Sequence, residues 1–171
     1  SPQVAVQSLV GSRVEAAFLF EPQARIAQLV APVKQIYEIG EVWPFPCMVV
    51  ITSGEVLKDR KDVVWKSLDA QRDAIDMLAN QPDEAAKFIA SYFIAEKTLK
   101  TFDGREIPRE EVISDAIKSQ TFSPILTPQE IERMQEIADI MQAQGALKTR
   151  DGSPFDVTGI VDLEWQKARN L

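Results

Sequence analysis

The residues of this chain that could act on a ligand stand at two places. Phe18, Phe20 and Glu21 close an apolar run, Val14–Phe20, that is interrupted by Glu15 and ends on Glu21-Pro22. A carboxylate at such a corner can accept hydrogen bonds from a cationic ligand group or orient another side chain that does. It can equally serve its own chain, by favouring the N-terminus of the helix that follows. Trp43 and Phe45 form the second group, in the rigid run Val42-Trp43-Pro44-Phe45-Pro46. Aromatic side chains in a linker can line a pocket and grip an apolar ligand, or pack into the core of their own lobe.

Other chemistry is excluded by composition. The chain of 171 residues has no histidine, so neither a Ser-His-Asp nor a Cys-His arrangement can form, and no His-ligated metal site. Carboxylate-only catalysis is left, without a spacing that supports it. We therefore expect no enzyme, no cofactor and no metal. The lone Cys47 cannot make an internal disulfide, and at the head of an apolar run it reads as a small core residue. Hydrophobic residues make up 45% and charged residues 26%, which argues for a folded chain rather than a disordered one. A net charge of −7, with both signs mixed along the chain, offers no basic stripe to nucleic acid or membrane. No apolar run is long enough to span a bilayer, and no signal-peptide pattern stands at Ser1.

The elements that must position these residues read as β/α units followed by helices. Ser1 and Pro2 suit the start of a first helix, which Gly11 would end in a left-handed conformation. Val14–Phe20 reads as a short buried strand, Pro22–Val30 as a helix, and Ile36–Ile39 as an alternating strand. The continuous apolar run Cys47–Thr52 reads as a strand buried on both faces. Helical spacing then covers Asp62–Ala79, a segment with Ala85, Phe88, Ile89, Tyr92 and Phe93 on one face, and another opened by Ile107-Pro108. Thr127-Pro128-Gln129-Glu130 is a capping box, and its helix should run to Gly145. A final helix is expected near Ile160–Arg169.

The composition shift near Ser53 divides the chain into residues 1–52 and 53–171. Three short strands are few for a covered α/β sheet, so the expectation is a piece of a larger architecture whose partner strands lie elsewhere.

Several segments of the chain carry a family resemblance. Leu9-Val10-Gly11-Ser12-Arg13-Val14-Glu15-Ala16-Ala17 resembles the "ALxxGxVDA" segment of the nitrate/sulfonate/taurine substrate-binding proteins of ABC transporters, and Glu21-Pro22-Gln23 resembles the turn after it. Met48–Ile51, Lys61–Ala70, Asn80–Ala90, Leu126–Gly145 and Ile160–Trp165 match later family segments in order. Glu15 stands where the family usually has Asp, and Gln23 where it usually has Trp.

The resemblance implies the latter part of a periplasmic binding protein type II-like fold: α/β, helix-rich, a few strands followed by C-terminal helices. In that frame residues 1–52 are the end of the second lobe and the return crossover, and 53–171 the helical portion that packs on a first lobe. The implied function is to bind a small anionic or zwitterionic solute in an inter-lobe cleft and deliver it to a membrane permease, in the periplasm or another extracytoplasmic space. Phe18, Phe20, Glu21, Trp43 and Phe45 are the ligand-binding candidates. Thiamine-pyrimidine synthases share the fold, but their chemistry depends on a histidine that this chain lacks. An alternative is an interaction module that self-associates through unpaired sheet edges.

Overall fold

A computed structural model of the chain describes residues 1–46 and 48–171, so the core placement expected for Cys47 lies outside the described residues. The order is α1 (Pro2–Val10), α2 (Gln23–Val30), α3 (Ile39–Val42), α4 (Gly54–Asp59), α5 (Lys61–Asn80), α6 (Pro82–Phe93), β1 (Thr98–Lys100), β2 (Glu106–Pro108), α7 (Arg109–Lys118), α8 (Pro128–Ala143) and α9 (Glu164–Ala168), with a 3-10 turn at Val157–Gly159. The molecule is helix-rich, with one two-stranded antiparallel sheet among the described residues. None of these helices is long and apolar enough to cross a membrane.

Several expectations do not hold. Val14–Phe20, Ile36–Tyr37 and Met48–Thr52 are irregular backbone, not strands. Phe18 is 65% exposed, Met48 87% and Ile51 86%, so the apolar runs lie on the surface. A strand needs a partner for its backbone N–H and C=O groups, and hydrophobicity alone does not supply one. The sheet forms instead around the polar turn at Thr101–Gly104, inside the region read as purely helical. Leu99 pairs with Ile107, and Ile107-Pro108 belong to β2 rather than to the helix after it. Gly104 takes φ +88 in the turn, where a side chain would be strained. The last helix is shorter than expected and starts at Glu164.

Two compact units divide the chain, each drawn from separate stretches. The first comprises Ser1–Tyr37 and Arg72–Phe122. Its core is α6 against α7: Ala85, Ala86 and Ala90 receive Val112, Ile113 and Ile117. Alanines on one helix let the facing backbone come close, so the branched side chains of the other are buried in the seam. Ile26 and Leu29 of α2 and Leu99 and Ile107 of the hairpin pack around it. The Arg25 guanidinium meets the Asp115 carboxylate at 2.7 Å and ties α2 to α7. At the start of α6, Asp83 accepts from Ser114 at 2.5 Å and from Lys118 at 2.7 Å. Those two donors, Lys118 first, hold its carboxyl below the usual range.

Helix α1 shows how local sequence sets an end. Ser1 Oγ accepts the Val4 amide at 3.4 Å, as its position predicts. At the other end Gly11 keeps φ −80, and Ser12 takes the left-handed conformation at φ 54. The amides of Ser12 and Arg13 reach back to Leu9 O and Ser8 O, the paired bonds of a Schellman end.

The second unit comprises Glu38–Gln71 and Ser123–Leu171. Its α8 opens with the expected capping box. The Glu130 amide donates to Thr127 Oγ1 at 3.2 Å, and the Thr127 amide to Glu130 Oε2 at 2.7 Å. It ends in a second Schellman pattern with Gly145 at φ +72, the Gly145 and Ala146 amides reaching Gln142 O and Met141 O at 2.9 Å each. Glutamine amides then fasten the chain after α8. Gln135 donates to Phe155 O at 2.7 Å and accepts from the Val157 amide at 2.9 Å. Gln142 does the same for Ser153 O and the Phe155 amide. Each side chain completes the backbone as a neighbouring strand would, since it carries one acceptor and two donors.

Candidate functional site

The candidate residues divide between the two units. In the first, the Phe18 and Phe20 rings meet edge to face, 5.5 Å between centroids at 81°. Both are more than half exposed. Glu21 next to them is half-buried, and its Oε2 accepts the Arg25 amide at 3.2 Å in the first turn of α2. Sequence left two roles open for this carboxylate, and this contact is the one that serves its own helix. Glu21 also lines a cavity of about 140 Å³ together with Pro22, Leu78, Ile113, Ile117 and Phe122. That cavity was not legible in the sequence, because its walls come from the turn before α2, from α5, α6 and α7, and from the segment after α7. Arg13, expected at the start of a strand, is exposed and donates its amide to Ser8 O.

In the second unit Trp43 and Phe45 are half-buried, their rings 5.1 Å apart and tilted by 36°. The Trp43 indole N–H donates to Glu136 Oε2 at 2.9 Å. Arg133 Nη1 reaches both oxygens of the same carboxylate at 2.8 Å. These bonds, Arg133 before Trp43, hold the Glu136 carboxyl below its usual range. The Arg133 and Glu136 side chains lie at i and i+3 on α8, and that spacing is the signal that could have paired them. Nothing local announced their meeting with Trp43.

A further cluster in this unit joins α5 to α9. Asp69 accepts from the Trp165 indole N–H at 3.1 Å and from Arg169 through Nε at 2.9 Å and Nη2 at 2.6 Å. Lys61 and Arg169 both stand over the Trp65 ring, at 4.8 Å and 5.5 Å from its centroid. Lys61 also pairs with Glu164. Every charge here faces an opposite charge or a ring, which is the chemistry of a clasp between helices.

Among the described residues no group of three or more His, Cys, Asp and Glu side chains is placed to hold a metal ion. No family model, curated protein or solved structure matches this chain.

Proposed function

We propose that this chain supplies part of the solute-binding component of an ABC-type importer. It would contribute the end of the second lobe, the return crossover and the C-terminal helices of a periplasmic binding protein type II-like fold. The observation that carries the reading is the exposure of two apolar segments where the resemblance places sheet strands. Phe18 and Phe20 are 65% and 56% exposed, and Met48 and Ile51 87% and 86%. Exposed apolar runs of this kind mark surfaces that another structure covers. Strands from the first lobe and from the start of the second would pair their backbones and bury their side chains.

In this reading Glu21 and the Phe18–Phe20 pair form part of one cleft wall, and Trp43 and Phe45 lie in the connection at which the lobes move. The ligand is a small anionic or zwitterionic solute, and the second partner is a membrane permease. The site of action is extracytoplasmic. A thermal-shift panel on the protein translated from its whole reading frame tests this. Nitrate, alkanesulfonates or taurine should raise the transition temperature in a saturable way. No response to any of them contradicts the proposal.

The same exposure also favours a second reading, an interaction module that assembles through these segments. Light scattering after size exclusion separates the two. A concentration-dependent dimer without solute response supports the module, and a solute-stabilised monomer supports the importer.

A further inference from the structure

Helix α6 carries two aromatic side chains that the rest of its unit does not cover. Its alanines Ala85, Ala86 and Ala90 are buried in the core shared with α7. Phe88 is 69% exposed and Tyr92 85%. A single exposed ring is ordinary on a protein surface, but two of them one turn apart on a helix make a patch.

The order of residues along this patch is its second property. Glu84, Phe88 and Tyr92 stand at i, i+4 and i+8 and so follow one ridge of the helix. Phe88 is midway, with the carboxylate and the phenol each four residues off, about 6 Å along the axis. A two-fold axis at Phe88 that sets a second α6 antiparallel to the first therefore matches unlike ends. The Tyr92 hydroxyl of each copy would donate to the Glu84 carboxylate of the other, twice per pair, with the two Phe88 rings meeting on the axis. An isologous interface requires this self-complementarity, residue i on j and j on i. Lys87 pairs with Glu84 at 2.5 Å on the same surface. That pair is exposed, and a carboxylate accepts more than one donor, so the ammonium can stay beside the new bond. A charged partner gains little here, since Glu84 and Lys87 cancel, and a purely apolar one would desolvate both without a new bond.

We propose that α6 is a self-association surface, through which two copies of this chain pair antiparallel about an axis at Phe88. The area sets the strength of the pair. A Phe or Tyr side chain offers about 150–250 Å² to burial, so four rings at these exposures give roughly 600 Å². Flanking residues bring the total toward about 1,200 Å², the low end of specific interfaces. The result is a weak dimer that forms with concentration.

Sedimentation equilibrium of the chain from about 5 to 500 µM tests this, a span that brackets weak dimers. It should show a reversible monomer–dimer equilibrium. Phe88→Ala places a good helix former at an exposed position and should weaken the dimer at least about tenfold, as loss of a central aromatic does. Tyr92→Phe should weaken it about five- to tenfold, through two lost hydrogen bonds. The register has its own readout. Glu84→Lys and Tyr92→Glu should each weaken the pair, and both together should recover it, because opposite charges then face each other at the same contact. A folded chain that stays monomeric at the highest concentration overturns the proposal. So does a dimer that Phe88→Ala leaves intact and Ile51→Ser abolishes, which would place association on the exposed apolar segments. Failure of the double variant to recover contradicts the antiparallel pairing. A monomeric product of the whole reading frame also overturns the proposal, since α6 would then be covered from within. None of these outcomes depends on solute, so the importer reading stands or falls separately.

Discussion

Arg169 and Asp69 form a bidentate ion pair across a separation of 100 residues, at 2.9 Å and 2.6 Å. The same carboxylate takes the Trp165 indole N–H, so one acidic side chain on α5 holds both ends of α9. Side-chain exposures of 33% and 29% place the pair partly out of water, where fork-to-fork geometry counts for more than at an open surface. Asp69→Ala should therefore lower the transition temperature more than Arg169→Lys, which keeps the charge and loses the fork. Trp165 is 6% exposed, and its fluorescence should shift to the red in Asp69→Ala as α9 loosens. Unchanged emission in that variant would show that the clasp does not hold the helix.

Gln135 is a second long-range fastener, bonded to both Phe155 O and the Val157 amide. Gln135→Ala should cost about 1–3 kcal/mol in chemical denaturation, because two backbone groups lose their partner. Gln135→Glu should restore the acceptor for Val157 and leave Phe155 O unsatisfied, giving an intermediate loss.

Ser12 ends α1 in the left-handed conformation at φ 54, next to a glycine that does not use its freedom. Ser12→Gly should stabilise the chain by about 0.5–1 kcal/mol, less what the unfolded chain gains in entropy. Gly11→Ala should destabilise it, since an added Cβ would meet Gln7 O at 3.0 Å. Thermal denaturation of both variants checks the pair of signs.

The depressed carboxyl of Glu136 gives a pH dependence with a definite sign. Its folded-state affinity for a proton is lowered by Arg133 and Trp43, so below the ordinary carboxylate pKa of about 4.3 the unfolded state binds more protons. The stabilisation is present above that value and is lost as pH falls through the lower, folded-state one. Asp83, lowered by Lys118 and Ser114, adds to the same acid limb. Glu136→Gln should flatten part of the limb between about pH 4 and the acid transition, read as transition temperature against pH.

Elements whose cause is local were legible in the sequence. The capping box at Thr127 needs residues three apart, and the helices from α5 to α8 need an apolar face repeated every turn. The left-handed end of α1 falls at Ser12, one residue after Gly11, because glycine permits that conformation without compelling it. The apolar run at Met48–Ile51 looked like a buried strand, but composition cannot supply the second strand that makes it one. The hairpin at Leu99 and Ile107 was hidden by its brevity and its charged residues, Lys100 and Glu106. At the candidate site, Glu21 and the aromatic residues could be found by type. The cavity between Pro22, α5, α6 and α7 could not, nor could the pairing of Asp69 with Arg169, because both depend on chain packing.

We propose above that the exposed apolar segments belong to a solute-binding protein. The most direct measurement is calorimetric titration of the product of the whole reading frame with nitrate, alkanesulfonates and taurine. Saturable one-to-one binding of one of these solutes, weakened by Glu21→Gln or Phe18→Ala, is the expected result. A folded protein that binds none of them would contradict it.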